Sequence, residues 1–195
     1  MSRRNSHTTA DYLPWADAIC LVNRLYKDGQ YRMSLLIGCG IFFGLRISDL
    51  RTLRWSMLLS GEMFELQEKK TNKYRKIKIN ADFQKHIQDC YRALGISNSD
   101  EHCFLSSKKV VYSTQRINVL LKEIKQKYNM RIENFSTHTM RKTFGRKVVE
   151  MAGEHAELAM IKLMELFNHS SIAITKRYLG IREEELLETY DMLSF

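Results

Sequence analysis

Between residues 136 and 180 the chain carries side chains able to handle a phosphate: His138, Arg141, Asn168, His169, Ser170, Ser171 and Tyr178. His138 and Arg141 stand three apart, so on a helix they share a face. His169 and Tyr178 are nine apart and would look to opposite sides of one unbroken helix, so they converge only if the chain turns between them. Residues 168–171 offer that turn. Asn tolerates the left-handed geometry of a helix C-cap, and Ser170 or Ser171 can cap the start of the next helix. Two imidazoles, a guanidinium and a phenol gathered this way suit a phosphate better than a metal.

Earlier in the chain two features add positive charge. Arg46 follows Gly44 between apolar Leu45 and Ile47, so its head emerges from a buried segment, and nearby Asp49 is expected to hold it. Residues 69–78 carry six cations: Lys69, Lys70, Lys73, Arg75, Lys76 and Lys78. A lysine on a hairpin tip there, with Thr71 and Asn72 in the turn, could protonate a leaving oxygen. Lys69, Lys73, Arg75 and Lys76 would then neutralise the phosphates of a polyanion and make its binding salt-sensitive. Each residue alone also has a commonplace reading: an arginine paired with its neighbour, a solvated charge run, a polar helix start, a capping histidine, a half-buried tyrosine.

The elements that must position these groups are mainly helical. Pro14 suits the first turn of a helix to about residue 27, ended by Asp28 and Gly29. A helix over 31–43, apolar nearly all round, stops at Gly44, and a short one starts within 45–50. Strands are expected at 55–58 and 63–66 around a Ser60-Gly61 turn, with a third over 74–79, where Ile77 and Ile79 alternate with Lys76 and Lys78. Further helices are expected at 80–94, with Asn80 as its cap, then 113–128, 138–151, 157–167, 171–178 and 182–193. The fold class is therefore mainly α with a small three-stranded antiparallel β-sheet, in one domain over residues 12–195 with a C-terminal tail at 182–195. Residues 1–11 are expected to form a disordered lead-in.

Composition bounds the rest. A chain of 195 residues, 44% hydrophobic, can bury one good core. The formal charge of +9 and isoelectric point near 9.4 call for a polyanionic partner, nucleic acid or an anionic membrane surface. Cys20, Cys39, Cys90 and Cys103 have no metal-ligand spacing and read as buried free thiols in a reducing compartment. The N-terminus lacks the apolar core of a secretory signal. The longest apolar run, residues 33–45, is too short to span a bilayer and contains three glycines. A protein of the cytoplasm is expected.

Taken together, these segments resemble the catalytic domain of the tyrosine recombinases, the phage integrase family. G-L-R-I-S-D-L from Gly44 to Leu50 is similar to the first arginine box, and E-K-K-T-N-K from Glu68 to Lys73 to the lysine hairpin. T-H-T-M-R-K-T-F from Thr137 to Phe144 resembles the H-x-x-R box. L-F-N-H-S-S-I from Leu166 to Ile172, with T-K-R-Y ending at Tyr178, resembles the last histidine and the nucleophile. The boxes run in the family's order across residues 15–195. Asn168 stands where glycine is usual, Lys142 where histidine is common and Met140 where leucine is usual; none replaces a residue of the proposed machinery.

The resemblance implies a DNA recombinase working without metal or nucleotide cofactor, on double-stranded DNA, through a 3′-phosphotyrosine formed by Tyr178. Arg46, Arg141 and His169 would bind the non-bridging oxygens, His138 would take the phenolic proton, and Lys70 would protonate the leaving 5′-oxygen, with Lys69 and Lys73 as competitors for that last role. It also implies a monomer in solution that forms tetramers on synapsed DNA by exchanging the apolar tail, in a bacterial or phage setting close to the nucleoid and away from membranes. The N-terminal core-binding domain that many members carry is not expected in residues 1–12. Two other readings remain: a type IB-like topoisomerase with the same nucleophile, and a catalytically silent DNA-binding module.

Overall fold

The run from Met33 to Phe43 is too apolar to leave any face in water, and it becomes the central helix. In the computed structural model, which describes residues 10–181 and Tyr190, this helix α2 (Tyr31–Phe43) is buried along most of its length. It packs against α1 (Trp15–Lys27), α5 (Ala81–Ala93) and α7 (Thr137–Ala152). The remaining helices are α3 (Ile47–Leu50), α4 (Trp55–Leu58), α6 (Thr114–Lys127), α8 (Ala156–Phe167) and α9 (Ile172–Leu179), with one 3-10 turn at Gly153–His155. No helix among the described residues is long and apolar enough to cross a membrane.

α7 carries site residues and crosses α2 at close range. At Gly40 an added Cβ would lie 2.6 Å from Met140 Cβ, so only glycine permits this approach. The start of α7 is fixed by a capping box. Ser136 accepts from the helix backbone while Thr139 Oγ1 accepts from the Ser136 N–H at 3.1 Å. Thr137 N–H donates to Asn118 Oδ1 on α6 at 3.1 Å. On the other side Thr143 Oγ1 accepts from Leu13 N–H at 2.9 Å. Ala10 is buried and Asp11 exchanges hydrogen bonds with Asn134, so the anchored chain begins within the stretch expected as lead-in.

α7 divides two apolar clusters. Met140 faces the main core, whereas Phe144, Val148 and Val149 pack on a smaller one built from Met160, Leu163, Phe167 and Leu179. The sheet has two strands, β1 (Met63–Gln67) and β2 (Tyr74–Lys78), antiparallel with Met63 opposite Lys78 and Gln67 opposite Tyr74. Phe64, Leu66 and Ile77 point inward.

The expected strand at 55–58 is instead the helical turn α4. Trp55 and Leu58 are both fully buried, and at i,i+3 spacing only a helical turn sends both the same way. Ser60 does not turn a hairpin; its hydroxyl bonds back to Met57 O at 2.8 Å and closes that helical turn. Cys39, Cys90 and Cys103 are buried as expected, whereas Cys20 is exposed. The helix expected at 182–193 and the tail containing it lie outside the described residues, apart from Tyr190.

Candidate active site

Two helix C-termini converge to make the floor of the site. α2 ends at Gly44 and α8 at Asn168, both left-handed, with φ 58° and 52°. A helix leaves its last four carbonyls without internal partners. For α8 all four are accounted for. Met164 O accepts from His169 N–H and Glu165 O from Asn168 N–H, each at 2.9 Å. Leu166 O accepts from Arg75 Nη1 at 3.3 Å. Phe167 O accepts from Arg46 Nη2 at 2.6 Å and from Arg141 Nη2 at 3.1 Å. At the end of α2, Phe43 O accepts from Arg75 Nη2 at 3.0 Å and Gly44 O from Arg141 Nη1 at 2.7 Å. Three guanidiniums are thus held at the negative ends of two helix dipoles. Arg141, 4% exposed, also stacks its guanidinium 4.1 Å above the Phe167 ring.

The carboxylate among these arginines is Glu68, not Asp49. Glu68 Oε2 lies 3.2 Å from Arg46 Nη1, and Oε1 lies 3.7 Å from Arg75 Nη1. Asp49 is buried within the single turn of α3, where its Oδ1 accepts from the Lys69 backbone N–H at 3.0 Å. Its expected support of Arg46 is therefore replaced by support of the hairpin. Arg75 also departs from its expected DNA-facing role. It lies on the same strand face as Ile77, points inward, and gives Nη1 and Nη2 to helix carbonyls. Lys69, Lys70, Lys73 and Lys76 are exposed, with Lys76 3.7 Å from Glu65.

His169 and Tyr178 meet because the chain turns at Asn168 and restarts at Ser171, whose hydroxyl accepts from Ile174 N–H at 3.3 Å. His169 Nδ1 lies 3.1 Å from Thr175 Oγ1, and its ring packs edge-on to Tyr178, with centroids 5.4 Å apart. Phe167 and His138 complete the surround of the Tyr178 ring at 5.6 and 6.4 Å. The Tyr178 hydroxyl is buried and has no hydrogen-bond partner among the described residues.

Burial pushes that phenol up to about 12, against the pull of the Arg141 and Arg46 guanidiniums. Burial, then Arg141, Arg46 and Lys70, brings His169 down to about 4. His138, although exposed, is also lowered: the side of its ring toward Tyr178 loses hydration, and Arg141 and Lys142 add repulsion. Arg141 itself falls to about 10 through burial and stays charged at neutral pH. At pH 7 the site therefore presents charged arginines, two neutral imidazoles and a neutral phenol.

These groups line one cleft of about 340 Å³: Arg46, Lys70, His138, Arg141, His169 and Tyr178 all face it. Lys73 lines a neighbouring cavity with Glu68 and Arg75, and Lys69 lines neither. Among the described residues the cleft wall contains no carboxylate, so these groups can hold an anion with a phenol beside it. Glu68 and Thr175 are the functional neighbours that sequence reasoning left without a role. For Glu68 the available signal was its place as the acid next to a run of cations; for Thr175 no signal was available.

Comparison with known proteins agrees with this geometry. The model of the phage integrase family matches residues 21–185. The probable integrase/recombinase YoeC of Bacillus subtilis (strain 168) is 31% identical over 153 residues, covering 77% of this chain and 78% of that protein. Among solved structures, XerA recombinase superposes over 100% of this chain and 68% of its own length, with a TM-score of 0.70 and 20% identity. XerH recombinase, bound to its palindromic difH substrate after cleavage, matches 97% of this chain and 55% of its own length, with a TM-score of 0.67 and 16% identity. At these identities the structural likeness carries the fold.

Proposed function

The chain belongs to the phage integrase family, and from that premise we propose that it is a tyrosine-type site-specific recombinase that cuts and rejoins double-stranded DNA. The observation that carries the reading is the buried, unpartnered hydroxyl of Tyr178 in the same cleft as Arg46 and Arg141. A neutral phenol is a poor nucleophile, so it depends on the base and the positive charge around it when a phosphodiester enters the cleft.

Arg46 and Arg141 hold the two non-bridging oxygens of the scissile phosphate. Their backs are fixed on helix carbonyls, so little reorganisation is needed as charge builds in the transition state. Tyr178 Oη attacks phosphorus and the P–O5′ bond breaks. His138, neutral at pH 7, takes the phenolic proton, and Lys70 gives a proton to the departing 5′-oxygen. His169, oriented by Thr175, donates to a non-bridging oxygen. The product is a 3′-phosphotyrosine and a free 5′-hydroxyl. The phosphotyrosine conserves the bond, so a 5′-hydroxyl from a second duplex can attack it and restore the phosphodiester and the phenol. Four protomers act on two synapsed duplexes, exchanging their C-terminal tails, with the monomer as the free form and the cytoplasm as the place of action.

Adduct trapping tests this. Full-length protein is incubated with a randomised pool of nicked duplexes and quenched with SDS, and covalent complexes are recovered and sequenced. Wild type should yield an adduct on a defined sequence without added metal, and Tyr178→Phe should yield none. Wild type giving no adduct would overturn the reading; an adduct without strand exchange between two such duplexes would favour a topoisomerase.

A further inference from the structure

We propose that Glu68 is a positioning residue that seats the Lys70-bearing turn on the Arg46 guanidinium, so that the acid and the phosphate clamp reach the DNA as one unit. This rests on the recombinase reading above. It concerns a residue outside the six given roles in the reaction.

The geometry is specific. Glu68 closes the hairpin tip with its own backbone, its N–H donating to Lys73 O at 2.9 Å and its carbonyl accepting from Asn72 N–H at 2.8 Å. Asn72 takes the left-handed conformation, φ 56°, that lets so short a turn close. The Glu68 side chain, 5% exposed, then does two things with one oxygen. Oε2 accepts from Thr71 Oγ1 at 2.9 Å inside the turn and from Arg46 Nη1 at 3.2 Å across the site. Oε1 faces Arg75, which is tied to the ends of α2 and α8. The turn residues 69–73 lie between the two strands and outside the apolar cores. Their links to the site floor are Glu68 and the Asp49 bond to Lys69 N–H.

Charge makes the link necessary. Arg46, Arg75 and Arg141 all bond the carbonyls of two adjacent helix ends, and like charges this close repel. Glu68 offsets part of that repulsion while orienting Arg46 from outside the residues that line the cleft. A glutamine keeps the shape and one acceptor but cannot bind both guanidiniums as an anion.

The test separates placing Lys70 from merely holding the fold. The duplex recovered by adduct selection is made with oxygen or with sulfur at the bridging 5′ position of the scissile phosphate. A thiolate leaves without a proton, so it removes the need for an acid. Lys70→Ala should lose much of its cleavage rate on oxygen and regain it on sulfur, since a general acid contributes about 10²–10⁴-fold. Glu68→Gln should lose about tenfold or more on oxygen and regain most of it on sulfur, in proportion to how far the acid is displaced. Thr71→Val, which removes one bond to the carboxylate and keeps the charge, should shift the same ratio less. If Glu68→Gln does not fold, Thr71→Val decides by the same ratio. Wild-type rates for both variants on oxygen, or losses equal on oxygen and sulfur, would overturn the coupling while the recombinase reading stands. An adduct selection that recovers no duplex removes that reading and takes the inference with it.

Discussion

Two neutral imidazoles and a neutral phenol packed against guanidiniums make a site whose protonation state is set by what surrounds it. Tyr178 is held at about 12 against an ordinary value of 10.0, so folding favours its protonated form. The stability this gives is whole below about pH 10 and is lost as pH rises through about 12. Tyr178→Phe should therefore show a shallower fall in melting temperature than wild type across that window, measured by thermal melts at matched ionic strength. His169 runs the other way. Held at about 4 against 6.5, it contributes stability that is whole above 6.5 and lost as pH falls to about 4. His169→Gln should flatten that acid limb in the same melts. Thr175→Val removes the partner of His169 Nδ1, and losing one hydrogen bond of about 1 kcal/mol should slow adduct formation severalfold without abolishing it.

Turn chemistry at residues 168–171 was legible because it is local: an Asn that accepts left-handed geometry, then a Ser that caps. Its consequence reaches further, since the end of α8 supplies the carbonyls that hold Arg46 and Arg141. Asn168→Ala places a Cβ-bearing residue at φ 52° without the side chain that tolerates it, costing about 1–2 kcal/mol. Urea melts should show that loss, with a slower adduct rate, while Asn168→Gly should keep both. Gly40→Ala should cost about 1–3 kcal/mol by forcing α2 from α7 at Met140, and calorimetry would read it. Other elements were less legible. Four residues at Trp55–Leu58 are too few to separate a period of two from one of 3.6, and the aromatic start pulled the reading toward a strand. Arg75 was decidable, because a strand that turns Ile77 and Ile79 inward also turns residue 75 inward. The pairing of Arg46 with Glu68 was not: 22 positions separate them, and a nearer acid, Asp49, satisfies the same local argument.

On the scale of the whole molecule, the formal charge of +9 divides into cations that build the fold and cations that meet solvent. Arg75 belongs to the first group, with Nη1 and Nη2 bonded to helix carbonyls, while Arg141 serves both tasks, anchored on two carbonyls and lining the cleft. Lys69 and Lys73, exposed on the hairpin tip, belong to the second. A cation that neutralises one phosphate releases counterions, and removing it lowers the slope of log K against log salt by about 0.9. Lys69→Ala and Lys73→Ala should each reduce that slope in DNA-binding titrations by up to this amount, with melting temperature unchanged. Arg75→Ala should instead leave buried carbonyls at two helix ends, and Oε1 of Glu68, without that partner, while Oε2 keeps Arg46 and Thr71. Its signature is a lower melting temperature, by an amount corresponding to about 3–5 kcal/mol for a broken buried pair, with the salt slope of the remaining folded protein nearly unchanged. A drop in slope for Arg75→Ala without loss of stability would move Arg75 back to the DNA-facing set, and with it the division of charge argued here.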